Sequence, residues 1–69
     1  MKDILGDCAT LASGTIATLT GYNEYDIIDE IQTDLVFFVQ ANAHKHNWET
    51  WMDAWDSFIA EHPEIKKLA

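Results

Sequence analysis

The 69-residue sequence predicts an all-α domain, a small bundle of three helices, or of four if its first segment breaks. Apolar residues recur at three- and four-residue spacing in three successive segments, which is the pattern of amphipathic helices. Glycine or asparagine lies at the boundaries between these segments, and the single proline lies near the end of the third. We expect one domain over residues 1–69, near the lower size limit for independent folding, so association with a second copy is expected.

The first segment, Lys2 to Thr20, places seven small or apolar residues on one side at helical spacing: Ile4, Leu5, Cys8, Leu11, Ala12, Ile16 and Leu19. It carries no charge from Cys8 onward, so the helix is either central or covered by a second copy. We interpret Cys8 as a small buried hydrophobe. A mid-helix glycine costs about 1 kcal/mol relative to alanine, so a break at Ser13-Gly14 is the alternative to one continuous helix.

The second helix is predicted from about Glu24 to His44, with Gly21 capping the preceding helix and Asn23 capping this one. Its core stripe is Ile27, Ile28, Ile31, Leu35, Phe38 and Val39. The run from Leu35 to Val39 is apolar all round, which leaves Val36 and Phe37 outside the core. A surplus apolar face on so small a domain indicates a dimer or a docking surface.

The third helix is predicted from Trp48 to about His62, with Asn47 as its cap. Its apolar face comprises Trp48, Trp51, Met52, Trp55, Phe58 and Ile59, and its acidic face comprises Glu49, Asp53, Asp56 and Glu61. We expect Trp51, Trp55 and Phe58 to pack inside and Trp48 to be the exposed ring. Pro63 ends this helix or opens a last turn through Leu68.

Twelve acidic residues against four basic ones give a net charge of −8. Such a surface repels phosphate backbones and anionic lipid and attracts basic proteins, so direct nucleic-acid binding is disfavoured. There is neither a signal-peptide pattern nor the run of roughly 20 apolar residues that a membrane span needs. The single cysteine suits a reducing compartment. We therefore expect a cytoplasmic protein and, since the sequence begins at Met, a complete gene product.

Catalysis and cofactor binding are not expected. The histidines that invite a metal interpretation are His44, His46 and His62. However, the first two rings point about 200° apart on a helix, and Lys45 between them repels a cation. Neither serine nor Cys8 has a sequence context that indicates an activated nucleophile, and the scattered glycines form no phosphate-binding loop. We predict neither a catalytic nor a metal site.

The acidic residues indicate more about function than the histidines, serines and glycines do. Asp26, Glu30 and Asp34 are spaced four apart in one segment, and Glu49 and Asp53 in another, and no lysine or arginine follows any of them at the i+4 position. Each like-charge pair costs roughly 0.2–0.5 kcal/mol, which a basic partner would offset, although solubility alone is the alternative explanation. The predicted partner-binding residues are Asp26, Glu30, Asp34, Val36, Phe37, Trp48, Glu49 and Asp53.

The predicted function is a non-enzymatic acidic module, its expected partners being a second copy and a protein with a basic or apolar surface. In size and charge alone it looks like the inhibitors that phages and plasmids use against host proteins, including DNA mimics; no motif carries that analogy. The alternative is a small transcriptional regulator with a helix-turn-helix over Leu11 to Ile31. Its DNA-facing residues would be Glu24, Asp26, Asp29 and Glu30, which oppose binding to a polyanion.

Overall fold

The computed structural model describes residues 3–66, the side chain of Lys66 excepted. Over this range the chain forms four α-helices and no strand: α1 (Ile4–Ala9), α2 (Ser13–Thr20), α3 (Tyr25–Asn42) and α4 (Trp51–Glu61). Short 3-10 turns follow α3 at Ala43–Lys45 and α4 at Pro63–Lys66. The all-α prediction is confirmed. Lys2 and Leu68, the predicted outer limits of the first helix and the last turn, lie outside the described residues.

The first segment is two helices, so the expected continuous helix is wrong and the alternative break is right. The break precedes Ser13 instead of following it. The Thr10 hydroxyl donates to the Gly6 carbonyl at 2.9 Å, where α1 ends. The Gln32 side-chain amide of α3 lies 3.3, 3.1 and 2.9 Å from the carbonyl oxygens of Cys8, Ala9 and Leu11. These bonds satisfy carbonyls that a continuing helix would otherwise have paired.

Gly21 ends α2 as predicted. Its φ of 84° lies in the left-handed region, and its amide donates to the Ala17 carbonyl at 2.8 Å. Asn23 does not cap α3; the cap residue is Glu24, whose side chain makes no capping bond. The helix ends at Asn42 instead of His44, and the Asn42 side chain donates to the Phe38 carbonyl at 2.9 Å.

The start of α4 also differs from the prediction, because its cap residue is Thr50 and not Asn47. The Asp53 carboxylate accepts the backbone amides of Glu49 at 2.8 Å and Thr50 at 3.3 Å, which fixes the first turn. Glu49 therefore precedes the helix, and the expected helical repulsion between Glu49 and Asp53 is wrong. The helix ends at Glu61, before Pro63, as the sequence indicated.

All four helices and the last turn contribute to one core. Its buried apolar residues are Cys8, Ile16, Ile28, Ile31, Leu35, Phe38, Val39, Ala54, Trp55, Phe58 and Ile65. The predicted stripes of α3 and α4 thus meet, with Trp55 and Phe58 buried and Trp51 half-buried against the core. Met52, which was also predicted on the apolar face of this helix, is 46% exposed. The radius of gyration is 11.3 Å, close to the roughly 11 Å of a compact domain of this length.

Candidate functional site

Three of the predicted acids lie together on the outer side of α3. Asp26, Glu30 and Asp34 are all exposed, and their four-residue spacing places them within about 80° of arc on the helix. Phe37, two turns beyond Glu30 and about one turn beyond Asp34, falls inside the same arc and is 63% exposed. We call Asp26, Glu30, Asp34 and Phe37 the α3 surface. It joins two predicted signals, the acid stripe and the surplus apolar residue.

The predicted pair of Val36 and Phe37 is not an equal pair in the structure. Val36 is half-buried, whereas Phe37 ranks with Tyr25 and Met52 as the large exposed apolar residues of the described chain. Consecutive residues on a helix point about 100° apart, so the two side chains face different directions. The apolar surplus at this position is therefore one aromatic ring.

Trp48 does not occupy the exposed position that we expected. It precedes α4 and is half-buried, with its indole nitrogen donating to the Ser57 hydroxyl at 3.1 Å. Its ring centroid lies 6.0 Å from that of Phe38, and the His46 ring is parallel to it at 4.8 Å. Because the chain folds back before the helix begins, the tryptophan covers the core instead of leading the helix outward.

Glu49 and Asp53 lie at the start of α4, whereas the other predicted acids lie on α3. Asp53 is half-buried, and its carboxylate accepts the backbone amides of Glu49 and Thr50. An acid that caps its own helix is stabilised by the positive end of the helix dipole. Asp53 therefore has a structural role that the sequence prediction did not assign to it.

A groove runs beside the α3 surface, between α3 and the turn that follows α4. Its volume is about 220 Å³, and its lining residues are Tyr22, Ile27, Glu30, Ile31, Asp34, His62, Glu64 and Ile65. Ile31 and Ile65 are buried, so the floor is apolar. Exposed carboxylates stand on both rims, and His62 Nδ1 lies 3.4 Å from Glu64 Oε2. Sequence reasoning missed this groove because its two sides lie about thirty positions apart in the chain.

Three of the side chains that the sequence offered as metal ligands or as a nucleophile, His46, His62 and Cys8, have packing roles. His46 stacks on Trp48, and His62 lies against Phe58 with ring centroids 4.7 Å apart. Within residues 3–66 no group of three or more His, Cys, Asp or Glu residues is arranged to hold a metal ion. Cys8 is fully buried, and burial, with a smaller contribution from Asp7, raises its pKa to about 11. A thiol that stays protonated at neutral pH is a weak nucleophile, which agrees with the buried-hydrophobe interpretation.

None of the helices between residues 3 and 66 combines the length and the apolar character that crossing a lipid bilayer requires. Comparison with known protein families, curated proteins and solved structures gave no significant match.

Proposed function

We propose that this protein is a non-enzymatic binding module whose α3 surface docks on a basic, partly apolar surface of another protein. The observation that carries the proposal is the exposed Phe37 ring within a stripe of three exposed acids. Aromatic residues, phenylalanine included, are enriched at protein interfaces, and exposed apolar surface rimmed by polar residues is typical of interaction sites.

The energetics favour a partner over a purely solvated face. A phenylalanine left in water forgoes most of the roughly 1.5–3 kcal/mol that full burial of its side chain would contribute. The neighbouring carboxylates on α3 repel one another by roughly 0.2–0.5 kcal/mol for each four-residue spacing. Solubility would account for the acids, but it gives no reason for an aromatic ring among them. A basic surface with an apolar pocket would offset both costs.

The net charge of −8 defines the chemistry of that partner. A strong negative field speeds the approach of a positively charged surface and makes the encounter sensitive to salt. The partner would present lysine or arginine side chains around a pocket for the Phe37 ring. By covering such a surface in the cytoplasm, the module would act in the manner of a phage- or plasmid-type inhibitor.

A homodimer is part of the same proposal. The outer residues from Ala9 to Thr18 are exposed and uncharged, so two copies could meet there without acid repulsion: Ala9, Thr10, Ala12, Ser13, Gly14 and Thr18. The Thr10 and Thr18 hydroxyls donate to carbonyls of their own helices, which leaves this surface less polar than its composition indicates. Sedimentation equilibrium over a range of protein concentrations tests it, and a constant monomer mass would contradict it.

The regulator alternative has one geometric point in its favour, since residues 21–24 connect α2 directly to the longer helix α3. The exposed residues at the start of that second helix include Glu24, Asp26, Asp29 and Glu30. In a helix-turn-helix these side chains would face phosphates, where four carboxylates oppose binding. The alternative requires a gel shift with duplex DNA at low salt, and the docking proposal requires that none occur.

The docking proposal is tested by charge reversal at the α3 surface with a matched control. The test variant is Asp26→Lys/Glu30→Lys/Asp34→Lys, and the control is Asp29→Lys/Asp56→Lys/Glu61→Lys, which changes the net charge equally at other exposed positions. Immobilised protein is incubated with native host extract at low and raised salt, after circular dichroism has shown that each variant is folded.

We expect the wild type and the control variant to retain the same host protein at low salt, and the α3-surface variant to lose it. Phe37→Ser should also lose it without any change in charge. Retention by the α3-surface variant with unchanged salt dependence would contradict the proposal. Equal loss by the control would show that net charge, and not this surface, determines binding.

A further inference from the structure

The groove beside α3 has an apolar floor and a further acid, Glu64, neither of which the docking proposal uses. Its floor is apolar, since Ile31 and Ile65 are buried and Ile27 is half-buried. Its rims are acidic, with Glu30 and Asp34 on α3 and Glu64 on the turn after α4. A long side chain lying here would have hydrocarbon beneath its stem and carboxylates on both sides of its tip.

The size of the groove limits the occupant. Sites for drug-sized molecules have volumes of roughly 300–1,000 Å³, so a groove of 220 Å³ fits a single long side chain better than a separate ligand. Lysine and arginine bury their methylene stems on apolar surface while the charged end stays near water. Two facing rims of carboxylate favour the planar guanidinium, whose several donors can reach acids on more than one side.

We propose that this groove receives one arginine side chain of the protein partner, with its stem over Ile31 and Ile65 and its guanidinium between Asp34 and Glu64. This assignment rests on the proposed docking function, because the groove shares Glu30 and Asp34 with the α3 surface. It adds a specific anchor to what is otherwise a general attraction between opposite charges.

The sequence of this chain indicates that the arginine comes from a different protein. Its four basic residues are all lysines, Lys2, Lys45, Lys66 and Lys67, so a second copy has no guanidinium to offer. Arginine is also enriched at protein interfaces, where lysine is depleted. The groove is therefore assigned to a heterologous partner, whichever surface a homodimer uses.

The test is an NMR titration of the full chain with three blocked peptides, Gly-Gly-Arg-Gly-Gly and its lysine and citrulline analogues. Citrulline keeps the shape of arginine without the charge. Signals of Ile27, Ile31, Ile65 and Tyr22 are followed, since these residues line the groove. We expect the arginine peptide to shift them at lower concentration than the lysine peptide, and the citrulline peptide to have little effect.

Two single variants separate the groove from the α3 surface. Glu64 lines the groove but lies outside the α3 surface, whereas Asp26 belongs to that surface and does not line the groove. Glu64→Gln should weaken arginine-peptide binding about two- to fivefold, as expected for the loss of one exposed ion pair. Asp26→Asn, which removes the same charge, should leave that affinity unchanged.

Equal binding of the arginine and citrulline peptides would overturn the assignment, as would equal weakening by both variants. Equal binding of the lysine peptide would overturn the choice of arginine. The docking proposal is judged separately, by recovery of the host protein with the α3-surface variant. Loss of that protein together with silent groove signals would refute the arginine anchor while leaving the docking proposal intact.

Discussion

The exposure of Phe37 can be tested by comparing the same truncation at two phenylalanines of opposite burial. Phe58 is fully buried, and its ring lies within 5.7 Å of the rings of Phe38, Trp55 and His62. Phe37 is 63% exposed on α3. Replacing each with alanine removes the same atoms, so any difference in stability reports the surroundings of the ring.

The expected magnitudes differ several-fold. Phe58→Ala should lower the free energy of unfolding by about 3–5 kcal/mol, through lost transfer free energy and the cavity left behind. A domain of this size has a total stability of only about 3–10 kcal/mol, so this variant is expected to be largely unfolded. Phe37→Ala should change stability by no more than about 0.5 kcal/mol, since surface substitutions are near neutral and alanine is the better helix former.

Urea unfolding followed by circular dichroism measures both variants, with Phe58→Leu as a milder core substitution that should remain folded. Each unfolding curve is recorded at two protein concentrations, because a dimer that covers Phe37 would make stability depend on concentration. A loss above about 1.5 kcal/mol for Phe37→Ala, independent of concentration, would mean that its own chain shields the ring. That result would refute the reasoning behind the α3 surface.

Three further predictions concern stability. Native Cys8 should resist iodoacetamide. The free energy of unfolding should decrease as the pH rises from 9.0, the ordinary pKa of the thiol, to about 11, its pKa in the folded protein, because the unfolded thiol releases its proton first. Urea titrations of the wild type and Cys8→Ala over this pH range check the sign. Gly14→Ala should stabilise by about 0.4–1 kcal/mol, since the added carbon would meet no atom within 4 Å apart from the adjacent residues and the backbone of its own helix. Gly21→Ala should destabilise by about 1–2 kcal/mol because the φ of Gly21 is 84°, and thermal unfolding compares the two variants. Asp53→Ala should lower the free energy of unfolding by about 1 kcal/mol, because it removes the acceptor of two backbone amides. Asp56→Ala, at an exposed position, should change it by no more than about 0.5 kcal/mol, and urea unfolding measures both variants.

Local patterns in the sequence predicted much of this fold. The periodicity of α3 identified Ile28, Ile31 and Leu35 as core residues, and all three are buried. Gly21 marked the end of α2 because the left-handed conformation favours a residue without a side chain. These features depend on residues within one or two helical turns, where sequence spacing translates directly into geometry.

The errors arose where a distant or competing partner decides the structure. The break between α1 and α2 is held by Gln32, more than twenty positions away in the chain. The start of α4 is displaced because Asp53 reaches back to the amides of Glu49 and Thr50. Trp48, which periodicity assigned to that helix, instead folds over the core.

The α3 surface and the groove differ in the same way, since the first depends on local spacing and the second on packing between distant segments. Helical spacing alone predicts that Asp26, Glu30 and Asp34 share one face, because all three lie on one helix. The groove depends on how the turn Pro63–Lys66 packs against α3, and no local pattern records that packing. A site built from one helix is readable from sequence, whereas one built between elements is not.

The position of Gln32 has a consequence for how the molecule opens. Its amide has two hydrogens for three carbonyl oxygens, so the donors are shared across the corner between α1 and α2. Local unfolding of that corner would break all of these bonds to α3 at once and exchange them for bonds to water. Backbone deuterium uptake at the corner should therefore follow the opening of α3, which makes the N-terminal third and the central helix one cooperative unit.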